Sequence, residues 1–142
     1  MKIHTDSAEE TYDFAKQFAQ NLQGGDVLCM YGDLGAGKTL FAQGVASGLG
    51  IDDYISSPTF TIVNEYEGRI PFYHFDVYRI ADSDEMYETG FDDYISGTGV
   101  CLIEWAELID DIIPRPYTKI TILRSPDNPA SGRDITIETI KE

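Results

Sequence analysis

The sequence predicts an α/β sandwich of three layers around a mixed, partly parallel central sheet with antiparallel edge strands. Three observations carry that prediction. An apolar run of strand length, Val27-Leu28-Cys29-Met30-Tyr31, enters a glycine-rich turn and leaves it as a helix opening, Leu40-Phe41-Ala42-Gln43. A second apolar run, Val100-Cys101-Leu102-Ile103, reads as a strand buried on both faces, as parallel strands are. Near the C-terminus, residues 119–124 and 134–140 alternate apolar with polar, which reads as two edge strands.

Taken in order, Ser7-Ala8-Glu9-Glu10 is a capping-box pattern, and Phe14, Phe18 and Leu22 follow at helical spacing. An amphipathic helix is expected there, closed by Gly24-Gly25. After the first strand and turn, a second helix runs to about Leu49, with Gly48 and Gly50 as stop signals. Ser56-Ser57-Pro58-Thr59 is a loop. Phe60 to Tyr66 and Pro71 to Phe75 read as a hairpin turning at Glu67-Gly68-Arg69. Residues 81–96 are acidic and read as a short helix plus loop. Glu104 starts a helix that stops before Pro114, and 125–129 is the turn between the last two strands. Residues 1–142 read as one domain, without repeats, linkers or low-complexity segments.

The turn carries the chemistry. Gly32-Asp33-Leu34-Gly35-Ala36-Gly37-Lys38-Thr39 is a complete G-x-x-x-x-G-K-[ST] pattern, a P-loop, with the strand before it and the helix after it that the pattern requires. Its glycines let successive N–H groups point at phosphate oxygens. The Lys38 ammonium reaches the terminal phosphates, and the Thr39 hydroxyl suits Mg²⁺. The helix that follows aims its positive end at the same anion. The sequence-level fold class is therefore that of a P-loop NTPase. Such a site needs an acid near Mg²⁺. Two strands end in one, Phe72-Tyr73-His74-Phe75 in Asp76 and Val100-Cys101-Leu102-Ile103 in Glu104, and strand ends of this polarity face the ligand crevice. Glu104, behind four apolar residues, fits the pattern better.

Composition narrows the function. The net charge is −15, from 25 acids against ten bases. Tight direct binding to RNA or DNA is disfavoured, because that affinity comes largely from Lys and Arg on phosphates. A basic protein partner suits the charge. No apolar stretch has transmembrane length, and Met1 to Asp6 holds no signal-peptide core, so a cytoplasmic protein off the membrane is expected. Cys29 and Cys101 lie in apolar strands and read as buried, reduced thiols. No Asn-Lys-x-Asp occurs, so ATP is favoured over GTP.

Four blocks in order resemble the TsaE family of bacterial P-loop ATPases over nearly the whole chain. They are 32–39, Ser57-Pro58-Thr59-Phe60-Thr61, His74-Phe75-Asp76-Val77-Tyr78-Arg79 and Leu102-Ile103-Glu104-Trp105. The resemblance implies an ATPase, weak alone and stimulated in complex, that supports TsaD and TsaB in forming threonylcarbamoyladenosine at tRNA position 37. It implies that Thr39 and Glu104 hold Mg²⁺, and that Asp76 serves hydrolysis and binds the metal directly or through water. It implies that Asp33, Leu34, Gly35, Ala36, Gly37, Lys38, Thr39 and Leu40 cradle ATP or ADP. Thr59, Trp105 and Arg133 are placed near the nucleotide by the same resemblance. Lys38, Asp76 and Glu104 form the implied catalytic set. Ala106 stands where the family commonly has proline, which frees a backbone N–H.

Residues outside these roles have plainer readings. His74 reads as a packed strand histidine rather than a general base. Arg79 is open between a partner or phosphate contact and a local ion pair. The acids at 82, 84, 85, 88, 92 and 93 read as a solvated face or a docking face for a basic partner. Two other functions stay open: a nucleotide-gated binding module with negligible turnover of its own, and a small-molecule kinase. No arginine-rich lid segment supports the kinase.

Overall fold

Alternation along the second strand sets the architecture. Leu28 and Met30 face one side of the sheet, Val27 and Cys29 the other, and both pairs are buried. A strand apolar on both sides must be covered twice. A computed structural model describes residues 1–32, 35–52, 55–56, 58 and 62–142. The elements are β1 (Lys2–Thr5), α1 (Ala8–Ala19), β2 (Val27–Gly32), α2 (Lys38–Gly48), β3 (Val63–Tyr66), β4 (Phe72–Asp76), a 3₁₀ segment (Ser83–Thr89), α3 (Phe91–Ile95), β5 (Val100–Glu104), a second 3₁₀ segment (Ala106–Ile112), β6 (Tyr117–Ser125) and β7 (Asn128–Ile140). One seven-stranded sheet runs β1-β7-β6-β2-β5-β4-β3. β4, β5, β2 and β6 are mutually parallel neighbours, and the flanks pair antiparallel.

α1 and α2 cover the face carrying Leu28, Met30, Leu102, Ile120 and Ile122. α1 starts as its capping box requires, with the Ser7 hydroxyl accepting the Glu10 N–H at 3.1 Å. The Glu10 carboxylate returns to the Asp6 N–H at 3.1 Å, one residue ahead of the cap. The two helices lie close because α2 presents Gly44 and Gly48 to α1. A Cβ at Gly48 would stand 2.3 Å from the Lys16 carbonyl oxygen. Gly48 is thus a contact surface, and Gly50, at φ +82, turns the chain after the helix. The other face is covered by Met86, Phe91 and Ile109 from the short segments, against Cys29, Phe75, Cys101 and Ile103. Burial pushes both free thiols, Cys29 and Cys101, up to about 12, which leaves them protonated and inert.

The structure departs from the sequence expectations in four places. β6 and β7 are interior strands, and the edges are β1 and β3. The alternation in β6 arises because Ile120 and Ile122 bury under the helices while Lys119 and Thr121 are half-exposed on the other face. It reports one covered face, not a sheet edge. β1 was not anticipated, since four residues with one aliphatic carry almost no periodic signal. The helix expected from Glu104 begins as a 3₁₀ turn at Ala106, because Trp105 takes the left-handed conformation, φ 64. The strand expected from Phe60 appears from Val63, with residues 60 and 61 outside the described set.

Candidate functional site

The site forms where β2, β4 and β5 end beside the start of α2. Gly37 caps α2 with φ 105, a conformation for which L side chains are strained, and it contributes no side-chain cap. The first turn of α2 carries no acid. Its positive end therefore stays available to an anion. A cleft of about 290 Å³ opens there, lined by Gly35, Gly37, Lys38, Thr39, Asp76, Glu104 and Trp105. Residues chosen from three separate stretches of sequence thus meet in one place.

Lys38 is nearly buried, at 6% exposure. Its ammonium donates to the Gly32 carbonyl at 3.3 Å and lies 3.9 Å from the centre of the Trp105 ring. The left-handed backbone at Trp105 accompanies that placement. It is the one non-glycine residue with positive φ among the described residues, a conformation costing about 1 kcal/mol or more. Strain of this kind collects at functional sites. The exposed ring of Tyr78 packs on Trp105 with centroids 4.8 Å apart, and of the two rings Trp105 lines the cleft.

The acids come from register. Asp76 and Glu104 are direct partners across β4 and β5. Asp76 is half-buried and accepts the Tyr78 N–H at 3.0 Å. Burial raises its pKa above the usual carboxylate value, and nearby Glu104 adds to the rise. The Tyr78 amide, His74 and Lys38 oppose it. Glu104 is 3% exposed, with one oxygen 2.6 Å from Nε2 of His74. His74 is fully buried and stacks on Phe72 at 6.1 Å. With the proton on Nε2, the imidazole donates to the carboxylate and fixes its rotamer. Nδ1 of His74 has no partner among the described residues. The sequence reading of His74 as a packed strand histidine fits its burial, and the structure adds its partner.

The oxygen donors of Thr39, Asp76 and Glu104 all line the cleft, and such donors suit Mg²⁺. Among the described residues no cluster of three His, Cys, Asp or Glu forms a cage.

Arg133 lies in β7 and donates from Nε to the Ala36 carbonyl at 2.7 Å, so it touches the turn's backbone. Leu40 lines a separate cavity of about 80 Å³ with Ala36, Gly37, Ser131 and Arg133. Asp33, Leu34 and Thr59 lie outside the described residues. Sequence reasoning missed Arg124, whose Nη2 donates to the Gly35 carbonyl at 3.1 Å. Tyr78, which the sequence offers with Arg79 as a partner or phosphate contact, is packed on Trp105 instead. Arg79 and the acids at 82, 84, 85, 88, 92 and 93 are exposed. Ala106 is fully buried at the start of its 3₁₀ segment, leaving Glu104 as the last residue of β5. Among the described residues no helix is long and apolar enough to cross a membrane.

Comparison with known proteins gives the family and the fold. The family model described as "Threonylcarbamoyl adenosine biosynthesis protein TsaE" matches residues 5–135. The tRNA threonylcarbamoyladenosine biosynthesis protein TsaE of Bacillus subtilis is 47% identical over 141 residues, covering 99% of this chain and 86% of the relative. Its counterpart in Treponema pallidum is 38% identical over 137 residues, covering 96% and 99%. A crystal structure of YdiB from Bacillus subtilis superposes with a TM-score of 0.81 at 43% identity, covering all of this chain and 86% of that one.

Proposed function

The chain belongs to the TsaE family, and on that premise we propose that it binds and hydrolyses Mg-ATP in support of threonylcarbamoyladenosine formation on tRNA. The observation that carries this reading is the single cleft joining Lys38 and Thr39 at the start of α2 to Asp76 and Glu104 at two strand ends. The proposed partners are TsaD and TsaB homologues.

The residues divide the work. The turn's amides and the start of α2 hold phosphate oxygens. Lys38 exchanges the Gly32 carbonyl and the Trp105 ring for the terminal phosphates. Thr39 and Glu104 hold Mg²⁺, with Asp76 binding it directly or through water. His74 keeps Glu104 in one orientation. Mg²⁺, when bound, neutralises the charge that develops on the phosphates. Trp105, backed by Tyr78, lines the cleft and limits water there.

The charge of −15 supports leaving the tRNA contacts to the partners. Turnover measured alone, and then with TsaD and TsaB homologues, tests the proposal. Slow, Mg²⁺-dependent hydrolysis that rises in the complex is expected. Nucleotide binding without turnover in either setting would leave a nucleotide-gated module instead. The isolated chain should show no sub-micromolar tRNA binding at physiological salt, since even basic proteins bind non-specifically at micromolar levels or weaker. Tight binding in an anisotropy titration would reverse that assignment.

A further inference from the structure

We propose that Arg124 and Arg133 are a pair of positioning residues that set the phosphate-binding turn by holding its carbonyls toward the β6–β7 hairpin. The inference rests on the nucleotide reading of that turn and adds a device that prepares it.

The two arginines stand directly opposite each other across β6 and β7. Like charges in that arrangement repel. Neither makes an ion pair among the described residues, although the chain has 25 acids. Both instead spend donors on backbone carbonyls. Arg124 donates to Gly35 at 3.1 Å and to Pro129 at 3.4 Å. Arg133 donates to Ala36 at 2.7 Å, to Gly132 at 2.8 Å and to Pro129 at 3.2 Å. Two consecutive carbonyls of the turn are therefore tied to one hairpin, and the Pro129 carbonyl anchors both guanidiniums.

Peptide geometry converts these ties into amide directions. In a trans peptide the C=O and the next residue's N–H point opposite ways. The described peptides of the turn are trans. Fixing the Gly35 carbonyl toward Arg124 turns the Ala36 N–H away from the hairpin. Fixing the Ala36 carbonyl toward Arg133 does the same for the Gly37 N–H. Each arginine thus aims one amide that the turn needs for phosphate. The approach is close: a Cβ on Gly35 would lie 3.0 Å from Nη2 of Arg124.

The test compares Met, Gln and Lys at each position in the full chain. Gln keeps a neutral donor for a carbonyl, Lys keeps the charge, and Met keeps neither. ADP affinity is measured by calorimetry, and amide hydrogen exchange at 35–38 is followed without nucleotide. Arg133→Met should bind ADP about tenfold more weakly, the scale of one lost hydrogen bond. Arg124→Met, whose bond is longer and exposed, should lose less. Both should exchange faster at 35–38, and Gln should recover most of each loss. Recovery by Lys with Gln no better than Met would overturn the proposal in favour of direct charge on phosphate. Unchanged exchange in both Met variants would overturn it as well. If the wild-type chain fails to bind ADP, the nucleotide reading falls, while the exchange comparison still decides whether the arginines set the turn.

Discussion

The chain has two histidines, each bonded to carboxylate, in opposite surroundings. His4, on the edge strand β1, is 45% exposed between Asp6 at 2.7 Å and Asp134 at 2.8 Å. His74, on β4, is fully buried against Glu104 at 2.6 Å. Water can replace either partner of His4, so its bonds add little. His74 has no solvent-exposed surface, so losing its partner leaves an unpaired polar group in an apolar layer. Burial, not the identity of the groups, decides which pair holds structure and site together.

That contrast has functional meaning only if the buried pair lies in a working phosphate site. Lys38→Ala tests this with the largest expected effect. The variant removes the ammonium that offsets phosphate charge, and turnover should fall on the order of a hundredfold or more, about 3 kcal/mol in barrier. Unchanged nucleotide affinity and turnover would detach the buried pair from any phosphate chemistry.

Glu104 comes next, and two substitutions separate its charge from its bond. Glu104→Gln keeps an oxygen for His74 and removes the charge, so turnover should drop roughly a hundredfold while melting stays near wild type. Glu104→Ala also orphans the imidazole, which should lower stability by roughly 2 kcal/mol. Equal melting of the two variants would show that the His74 bond contributes nothing to the fold. Normal turnover of both in the full complex would remove Glu104 from the metal.

His74→Ala should lower stability by roughly 3 kcal/mol, since it removes a hydrogen bond from a buried carboxylate and opens a cavity. Its second signature is a higher Mg²⁺ concentration for half-maximal turnover, because the Glu104 rotamer is no longer fixed. His74→Gln retains a donor and should recover part of both. A stability loss without any change in Mg²⁺ dependence would make His74 a packing residue only.

What the sequence disclosed follows from how local each feature is. The phosphate turn, its helix and the two strand-end acids were legible, because a strand's C-terminal end and its next residue are written together. Glu104 could be found from four apolar residues before it, and β5 is indeed buried along its length. The partner of Glu104 could not, since it depends on the register that sets His74 opposite Leu102 and so diagonal to Glu104. Arg124 was hidden for the same reason. It reaches Gly35 from 89 positions away, through the pairing of β6 with β2 and β7. The interior position of β6 was hidden because alternation reports which faces are covered, not how many neighbours a strand has. The left-handed turn at Trp105 carries no local signal, since nothing in Glu104-Trp105-Ala106 favours it.

The smallest effect belongs to His4, and pH is the variable that reveals it. Hydrogen bonds to Asp134 and then to Asp6 raise the His4 pKa above 6.5, with opposition from partial desolvation. A group whose folded pKa is raised contributes its stability fully below the unfolded value. That contribution is lost as pH rises through the folded value. The melting difference between wild type and His4→Ala should therefore be greatest near about pH 5 and vanish by about pH 9, on either side of an ordinary histidine's range. Because the cluster is exposed, added salt should shrink the difference further. His74 lies away from solvent, and the melting loss in His74→Ala should persist in high salt. If the His4 difference proved as large and as insensitive to salt as that of His74, burial would not be what separates the two pairs.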